Sequence, residues 1–431
     1  MLLKFIVYSK DNKSLLLNQL NQKFFLPAFE FDTFHIAVTS TINHFFMEEF
    51  KLKTNVLRCN YQELRIYELE ALDDLKNNNK YVWIKISSIP SLKDQVSDDK
   101  KELLLNVLNN TFNRSVSWFE PGRQKEMRYW VEQKVFKNGS LTLIQMRSWE
   151  RAALFKVKTS KTNYYFKAVP KTFAHEALVH RYISGQYPSY VPEIIAINEN
   201  RNWYIMSEIQ GDLLGKSKEI EHWQKAVHRI IDIQKNSYIH KKRLQKLGCP
   251  ERPLVEVLNN YLEQSLEGLV DSNYISKANY TVLKQSIPSM LSLVHQLDDS
   301  YLPKALDHGD LFGGNIIVQN GQPIIYDWSD SSLTHPFLSV VVILEEISEI
   351  FSNNQSNSLL ESYIKEWEEF DTFEHLLNEY RIIRILAPLY YLTVYQQFIF
   401  PNFADNVDKQ WVVNDYVDQW LNHIFRLSAF D

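Results

Sequence analysis

The sequence predicts an α+β protein: a small α/β module first, then a β-rich lobe, then a large helical lobe. Three observations predict it. Short apolar, aromatic and β-branched runs dominate up to about residue 211. From about residue 219 onward, long segments repeat apolar residues near the helical period. An Asn-Gly pair between two apolar runs then sets a hairpin among those helices.

The first module spans residues 1–112. Leu2–Tyr8 and Ser14–Leu17 read as strands. Phe24–Phe31 leads into a helical run over Val38–Phe50, and Tyr81–Ile86 reads as a later strand. Residues 113–139, with Trp118, Pro121 and Trp130, form a helical connector packed by aromatics. The β-rich lobe covers 140–211. Ala152–Val157 turns toward a strand over Asn163–Val169, a helix starts within Phe173–His180, and Trp203–Ile209 is a strand that runs out to Gly211. The helical lobe covers 212–431. Helices are expected over Glu219–Lys246, Leu254–Leu269, Tyr274–Leu297, Phe337–Phe351, Ser358–Phe370, Phe373–Phe400 and Lys409–Leu427.

Composition bounds the function. A chain of 431 residues holds two or three domains with ample core. A net charge of −5 argues against a nucleic-acid footprint. Cys59 and Cys249 make no disulfide framework and fit a reducing, cytoplasmic setting. The apolar run at Met1–Tyr8 is too short for a signal peptide. Leu386–Phe400 is too short to span a membrane and is broken by Gln396 and Gln397.

The chemistry is concentrated in His308-Gly309-Asp310-Leu311-Phe312-Gly313-Gly314-Asn315 and Ile324-Ile325-Tyr326-Asp327-Trp328. Asp310 sits on a turn opened by Gly309. Asn315 begins the strand Ile316-Ile317-Val318. The chain turns at Asn320-Gly321 and returns through Pro323–Tyr326 to deliver Asp327. The hairpin thus brings Asn315 and Asp327 back near each other. A carboxylate and an amide oxygen are hard donors suited to Mg²⁺ shared with nucleotide phosphates. Asp310 lies where it could orient and deprotonate a hydroxyl. The plainer reading is a hairpin with polar turns and no catalysis, which does not require this selection of residues.

These segments resemble the catalytic and metal-binding loops of the aminoglycoside phosphotransferase and choline kinase superfamily, relatives of protein kinases. Its pattern is H-G-D-x-x-x-x-N followed by I-D-W. The resemblance implies a bilobal, protein-kinase-like fold over about residues 140–431. Asp310 then corresponds to the catalytic aspartate, His308 to the residue bracing its loop, and Asn315 and Asp327 to the metal ligands. Phe312 stands where the family often has His, and Tyr326 replaces the Ile before the metal aspartate. Lys167 and Glu176 become the pair that positions the α- and β-phosphates. Met206 and Glu208, on the lobe-connecting strand, offer backbone to the adenine. The implied cofactors are ATP or GTP, and Mg²⁺.

Gly211-Asp212-Leu213-Leu214-Gly215-Lys216-Ser217 resembles a phosphate-binding loop but has three residues between its glycines instead of four. It reads as the exit from the connecting strand. The acidic set Glu345, Glu346, Glu349, Glu361, Glu366, Glu368, Glu369, Asp371 and Glu374 reads first as solvated helix faces. Its alternative is an acidic wall that attracts a cationic substrate. The first module resembles a Nudix domain with a degraded motif. Aligned on Glu48 and Glu49, it has His44, Phe45 and Lys51 at the other specified positions. It is therefore read as a non-catalytic, Nudix-like module.

The expectation is an ATP- or GTP-dependent phosphotransferase acting on a hydroxyl of a small molecule, cationic if the acidic wall serves that purpose. No nucleic acid or membrane partner is expected. Two rivals stand beside it. One is a nucleotide-binding regulatory protein without small-molecule turnover. The other is a kinase-like fold that transfers a nucleotidyl group to protein.

Overall fold

The computed structural model describes residues 1–61, 65–75, 80–92, 116–135, 141–404 and 406–428. The chain divides into two compact units. One is Met1–Pro170 with Asn200–Ile205; the other is Lys171–Glu199 with Met206–Asp431. The boundaries expected at 112/113 and 139/140 lie outside the described residues.

In the first unit, strands β1 (Leu2–Tyr8), β2 (Ser14–Leu20), β3 (Lys23–Phe25) and β4 (Ala28–Glu30) precede helix α1 (Ser40–Phe50). Strands β5 (Thr54–Tyr61), β6 (Arg65–Ala71) and β7 (Tyr81–Lys85) follow. They form one seven-stranded sheet of order β3-β2-β1-β6-β5, with β4 on β1 and β7 on β2. The β1–β6 pair is parallel. Helix α1 buries Ile42, Phe46 and Phe50 in a core with Phe5, Val7, Leu16 and Tyr67. The opposite face packs Ile6, Tyr8, Leu15 and Leu17 around Leu57. Both faces of β1 are therefore covered. This explains why Leu3 to Tyr8 reads as a near-continuous apolar run and not as an alternating strand.

Helix α2 (Arg123–Val135) and strands β8 (Leu141–Ser148), β9 (Ala153–Thr159) and β10 (Asn163–Ala168) complete most of this unit. Strand β9 pairs antiparallel with both neighbours. Trp130, Phe166 and Trp203 stack edge to face within it. Gln145 of β8 joins this part to the first sheet. Its side-chain nitrogen donates to the Val56 carbonyl at 2.6 Å and its oxygen accepts from the Val56 N–H at 2.8 Å. Both strands are bulged there, between Gln145 and Arg147 and between Val56 and Arg58. The amide so satisfies both backbone groups of Val56 on the edge strand β5.

The second unit opens with α3 (Glu176–Gln186) and β11 (Ile194–Asn198). It contains the end of β12 (Trp203–Ser207), β13 (Asp212–Leu213), α4 (Ile220–Ile239), α5 (Lys241–Lys246), α6 (Leu254–Asp271) and α7 (Lys277–His295). Strands β14 (Ala305–Asp307), β15 (Ile316–Gln319), β16 (Gln322–Ile325) and β17 (Ser332–Thr334) come next. Helices α8 (Leu338–Ile350), α9 (Asn353–Lys365), α10 (Phe373–Val394) and α11 (Asn406–Ser428) end the unit. Three helices differ most from expectation. Glu219–Lys246 is broken at His240, where the backbone leaves helical geometry. Helix α9 starts earlier than Ser358, because Ser352 caps it by accepting from the Gln355 N–H. Helix α10 ends at Val394, and Tyr395–Ile399 continues as a π-helical turn. No helix among the described residues is long and apolar enough to cross a membrane.

Candidate active site

The hairpin β15–β16 turns at Asn320 and Gly321, with φ of 51° and 70°. These left-handed values are those an Asn-Gly turn supplies at little cost. The register sets Ile316 against Ile325 and Ile317 against Ile324. Strand β13 adds to the other edge of β15, pairing Asp212 with Val318. Gly211 precedes it with φ of 149°, and a Cβ there would lie 2.1 Å from the Val318 carbonyl oxygen. The segment that resembles a phosphate loop is therefore a strap on the hairpin. Buried Arg229 of α4 holds the other side. It donates to the Ser189 carbonyl at 2.6 Å, to Gln322 Oε1 at 2.8 Å and to the Pro323 carbonyl.

The predicted loop residues converge. The Asp310 N–H donates to His308 Nδ1 at 3.3 Å, so the ring proton resides on Nε2, which donates to the Tyr326 carbonyl at 3.0 Å. His308 is buried, and its ring lies 4.6 Å from that of Trp328. It thus ties the Asp310 loop to the strand end that carries Asp327. Asn315 donates through Nδ2 to the Asp310 carbonyl and to Asp310 Oδ2, both at 2.9 Å. The Tyr326 N–H donates to the Asn315 carbonyl at 3.1 Å, which sets Asp327 one residue beyond Asn315's partner. Asp327 itself has φ of 66°, a left-handed value uncommon for a residue with a side chain. Asp310 is exposed, while Asn315 is 8% exposed.

This arrangement fits a Mg²⁺ ion. The Asn315 side-chain nitrogen is engaged with Asp310, so its side-chain oxygen, Oδ1, is the atom left to meet a cation. Asp327 supplies a carboxylate. Two protein oxygens are what Mg²⁺ takes when phosphates and water complete its shell. Among the described residues, no group of three or more His, Cys, Asp or Glu side chains is suited to hold a metal by itself.

The remaining predicted residues fall in two places. Lys167 is 8% exposed on β10 in the first unit. Glu176 is fully buried in the first turn of α3, in the second unit. The adjacent His175 is buried; burial and then the Arg252 charge push its imidazole down to about 4, so it stays neutral at ordinary pH. Met206 and Glu208 are partly buried at and just beyond the end of β12. There the Ser207 N–H donates to the Glu193 carbonyl at 2.9 Å.

Sequence reasoning missed the supports of the loop. Glu346 of α8 accepts from the Gly313 N–H at 2.7 Å, and a Cβ on Gly313 would lie 2.5 Å from the Gly215 nitrogen. Asp307 and Ser339 lie behind His308. Tyr416 of α11 stacks 5.8 Å from Tyr391 and lies 6.0 Å from Tyr395, ring centre to ring centre. Burial, then the charges of Tyr395, Asp310 and Asp330, push its hydroxyl well above the ordinary phenol range. Tyr395 donates to Asp330 Oδ2 at 3.0 Å. None of these contacts is local in sequence. The acidic set also proves partly compensated: Glu345 pairs with Arg384, and Glu366 and Glu369 with Lys235.

Residues 149–376, more than half of the chain, match the phosphotransferase enzyme family. The chain belongs to that family. None of the curated proteins matches it by sequence. Solved structures give its fold. The phosphotransferase is similar to choline kinase from Cryptosporidium parvum Iowa II at 16% identity and a TM-score of 0.52, over 71% of this chain and 96% of that one. It is similar to ethanolamine kinase from Plasmodium vivax at 17% identity and a TM-score of 0.50, over 77% of this chain and 95% of that one. The mixed α+β fold of this phosphotransferase is thus of the choline-kinase type.

Proposed function

We propose that this phosphotransferase moves the γ-phosphoryl group of ATP or GTP to a hydroxyl of a small cationic molecule. The observation that carries the reading is the closed set of contacts among Asp310, Asn315, His308 and the strand that delivers Asp327. In it Asn315 and Asp327 hold Mg²⁺, which draws charge from the phosphates when bound. Asp310 aligns the acceptor hydroxyl and takes its proton. His308 keeps the Asp310 backbone fixed. Lys167 and Glu176 are assigned to the α- and β-phosphates, and the backbone at Met206 and Glu208 receives the base. Most of the rate gain comes from positioning and charge stabilisation.

The cationic acceptor rests on Tyr391, Tyr395 and Tyr416 gathered near Asp310 and Asp330. Aromatic faces beside carboxylates attract an ammonium group more than a neutral polyol. The acceptors named in the two structural neighbours, choline and ethanolamine, are the first to test. The first module is proposed as a Nudix-like, non-catalytic unit. Glu48 and Glu49 lie exposed on α1, and Glu48 engages His44 at 2.8 Å.

The test is transfer of labelled phosphate from γ-labelled ATP and GTP to an acceptor panel, with wild type and Asp310→Asn. The reading expects wild-type transfer and a fall in turnover of about 10²–10⁴-fold in the variant, with nucleotide affinity within a few-fold. Equal turnover in Asp310→Asn would remove the assigned role. Nucleotide binding without transfer to any acceptor would favour a regulatory protein.

A further inference from the structure

The residue before His308 is an aspartate with no part in the chemistry above. Asp307 ends β14 and is 1% exposed. Its Oδ1 accepts from the Ser339 hydroxyl at 2.6 Å, and the Tyr391 hydroxyl lies 3.3 Å from both of its oxygens. The Gly309 N–H also donates to it. Ser339 Oγ in turn accepts from the His308 N–H at 3.2 Å. One buried carboxylate therefore reaches two successive amides of the loop: Gly309 directly, and His308 through Ser339.

A buried carboxylate costs stability unless several donors face it. Its donors come from the loop, from α8 and from α10. The carboxylate is in the one place where it can fix the direction of the His308 and Gly309 amides. Those amides set where Asp310 stands.

We infer that Asp307 is a positioning residue for phosphoryl transfer: its ionised carboxylate, with Ser339 and Tyr391, holds the His308–Gly309 backbone so that Asp310 meets the acceptor hydroxyl. The inference rests on the phosphotransferase reading for its kinetic consequence, but its structural half does not. Asp307 touches neither nucleotide nor acceptor in this account, so its loss lowers kcat and leaves KM for nucleotide nearly unchanged.

The inference carries a pH signature. Burial pushes the Asp307 carboxyl up to about 6, against the donors Ser339, Gly309 and Tyr391 and the nearby charge of Arg252. The other groups in its field are Cys249, Tyr363 and Tyr390, all held neutral by burial at ordinary pH. Below pH about 6 the carboxylate gains a proton and the loop loses its anionic anchor. The same protonation favours folding, because an unfolded aspartate binds its proton only near 3.8. Activity and this group's contribution to stability thus move in opposite directions as pH falls through 6, which a purely structural role cannot produce.

The experiment compares wild type, Asp307→Asn, and Ser339→Ala as a second variant should the first fail to fold. Hydrogen exchange of the 305–316 segment and the pH profile of transfer are both read. The inference expects exchange in that segment at least fivefold faster in Asp307→Asn at unchanged melting temperature. It expects kcat down at least tenfold, KM for nucleotide within threefold, and loss of the acid limb near pH 6. Unchanged exchange, or an acid limb that persists in the variant, overturns it. A wild type without turnover overturns the phosphotransferase reading alone, and the exchange result then decides whether Asp307 holds the loop.

Discussion

An added carbon at Gly309 would disturb the loop that carries Asp310. Its φ is 81°, and a Cβ would stand 2.5 Å from the Asp330 carbonyl oxygen. That oxygen is backbone and cannot swing aside. Gly309→Ala should therefore cost about 2–4 kcal/mol in urea unfolding, the sum of left-handed strain and a forced shift. A cost under about 0.5 kcal/mol would show that the loop accommodates the carbon. Spacing alone revealed where the polar groups of this site cluster, because 308–315 and 324–328 are each short and join through one hairpin. Asn315 reaching Asp310 follows from five residues of separation. Asp307, Ser339, Tyr391 and Tyr416 were hidden, since their meeting depends on how helices pack over 30 to 110 residues of chain. Composition offers no signal for it.

At the scale of elements, the hairpin is a docked unit with a defined clamp. Arg229 on α4 satisfies the Ser189 and Pro323 carbonyls and the Gln322 amide from a buried position. Arg229→Met keeps the volume but strands the buried Pro323 carbonyl, so it should cost about 1–3 kcal/mol. The measurement is urea unfolding followed by tryptophan fluorescence. A neutral variant would mean that water takes over the clamp. The Asn-Gly turn made this hairpin readable. Strands β5 and β6 were not, because Arg58, Glu68 and Glu70 put charges into them at buried positions. Those charges are paired or hydrogen-bonded in the fold, as Arg58 and Glu68 are at 2.5 Å. A polar-rich run reads as a loop until its partner is known. The helix break at His240 was equally silent, with no Pro or Gly to mark it.

For the whole molecule, the α+β class was legible because apolar periodicity switches from strand-like to helical near residue 211. The division into two compact units was less so. It cuts near residue 170 and returns Asn200–Ile205 to the first unit, a detail of contacts that no linker composition marks. The account's central claim is that the Asn315–Asp327 hairpin end receives a nucleotide through Mg²⁺. It is tested by the melting temperature of the full chain with ATP or GTP, in Mg²⁺ or EDTA, for wild type and Asp327→Ala. The account predicts a rise with nucleotide that requires Mg²⁺ and disappears in the variant, whose melting temperature without ligand stays near wild type. A nucleotide shift of the same size in EDTA, or one retained by Asp327→Ala, would contradict it.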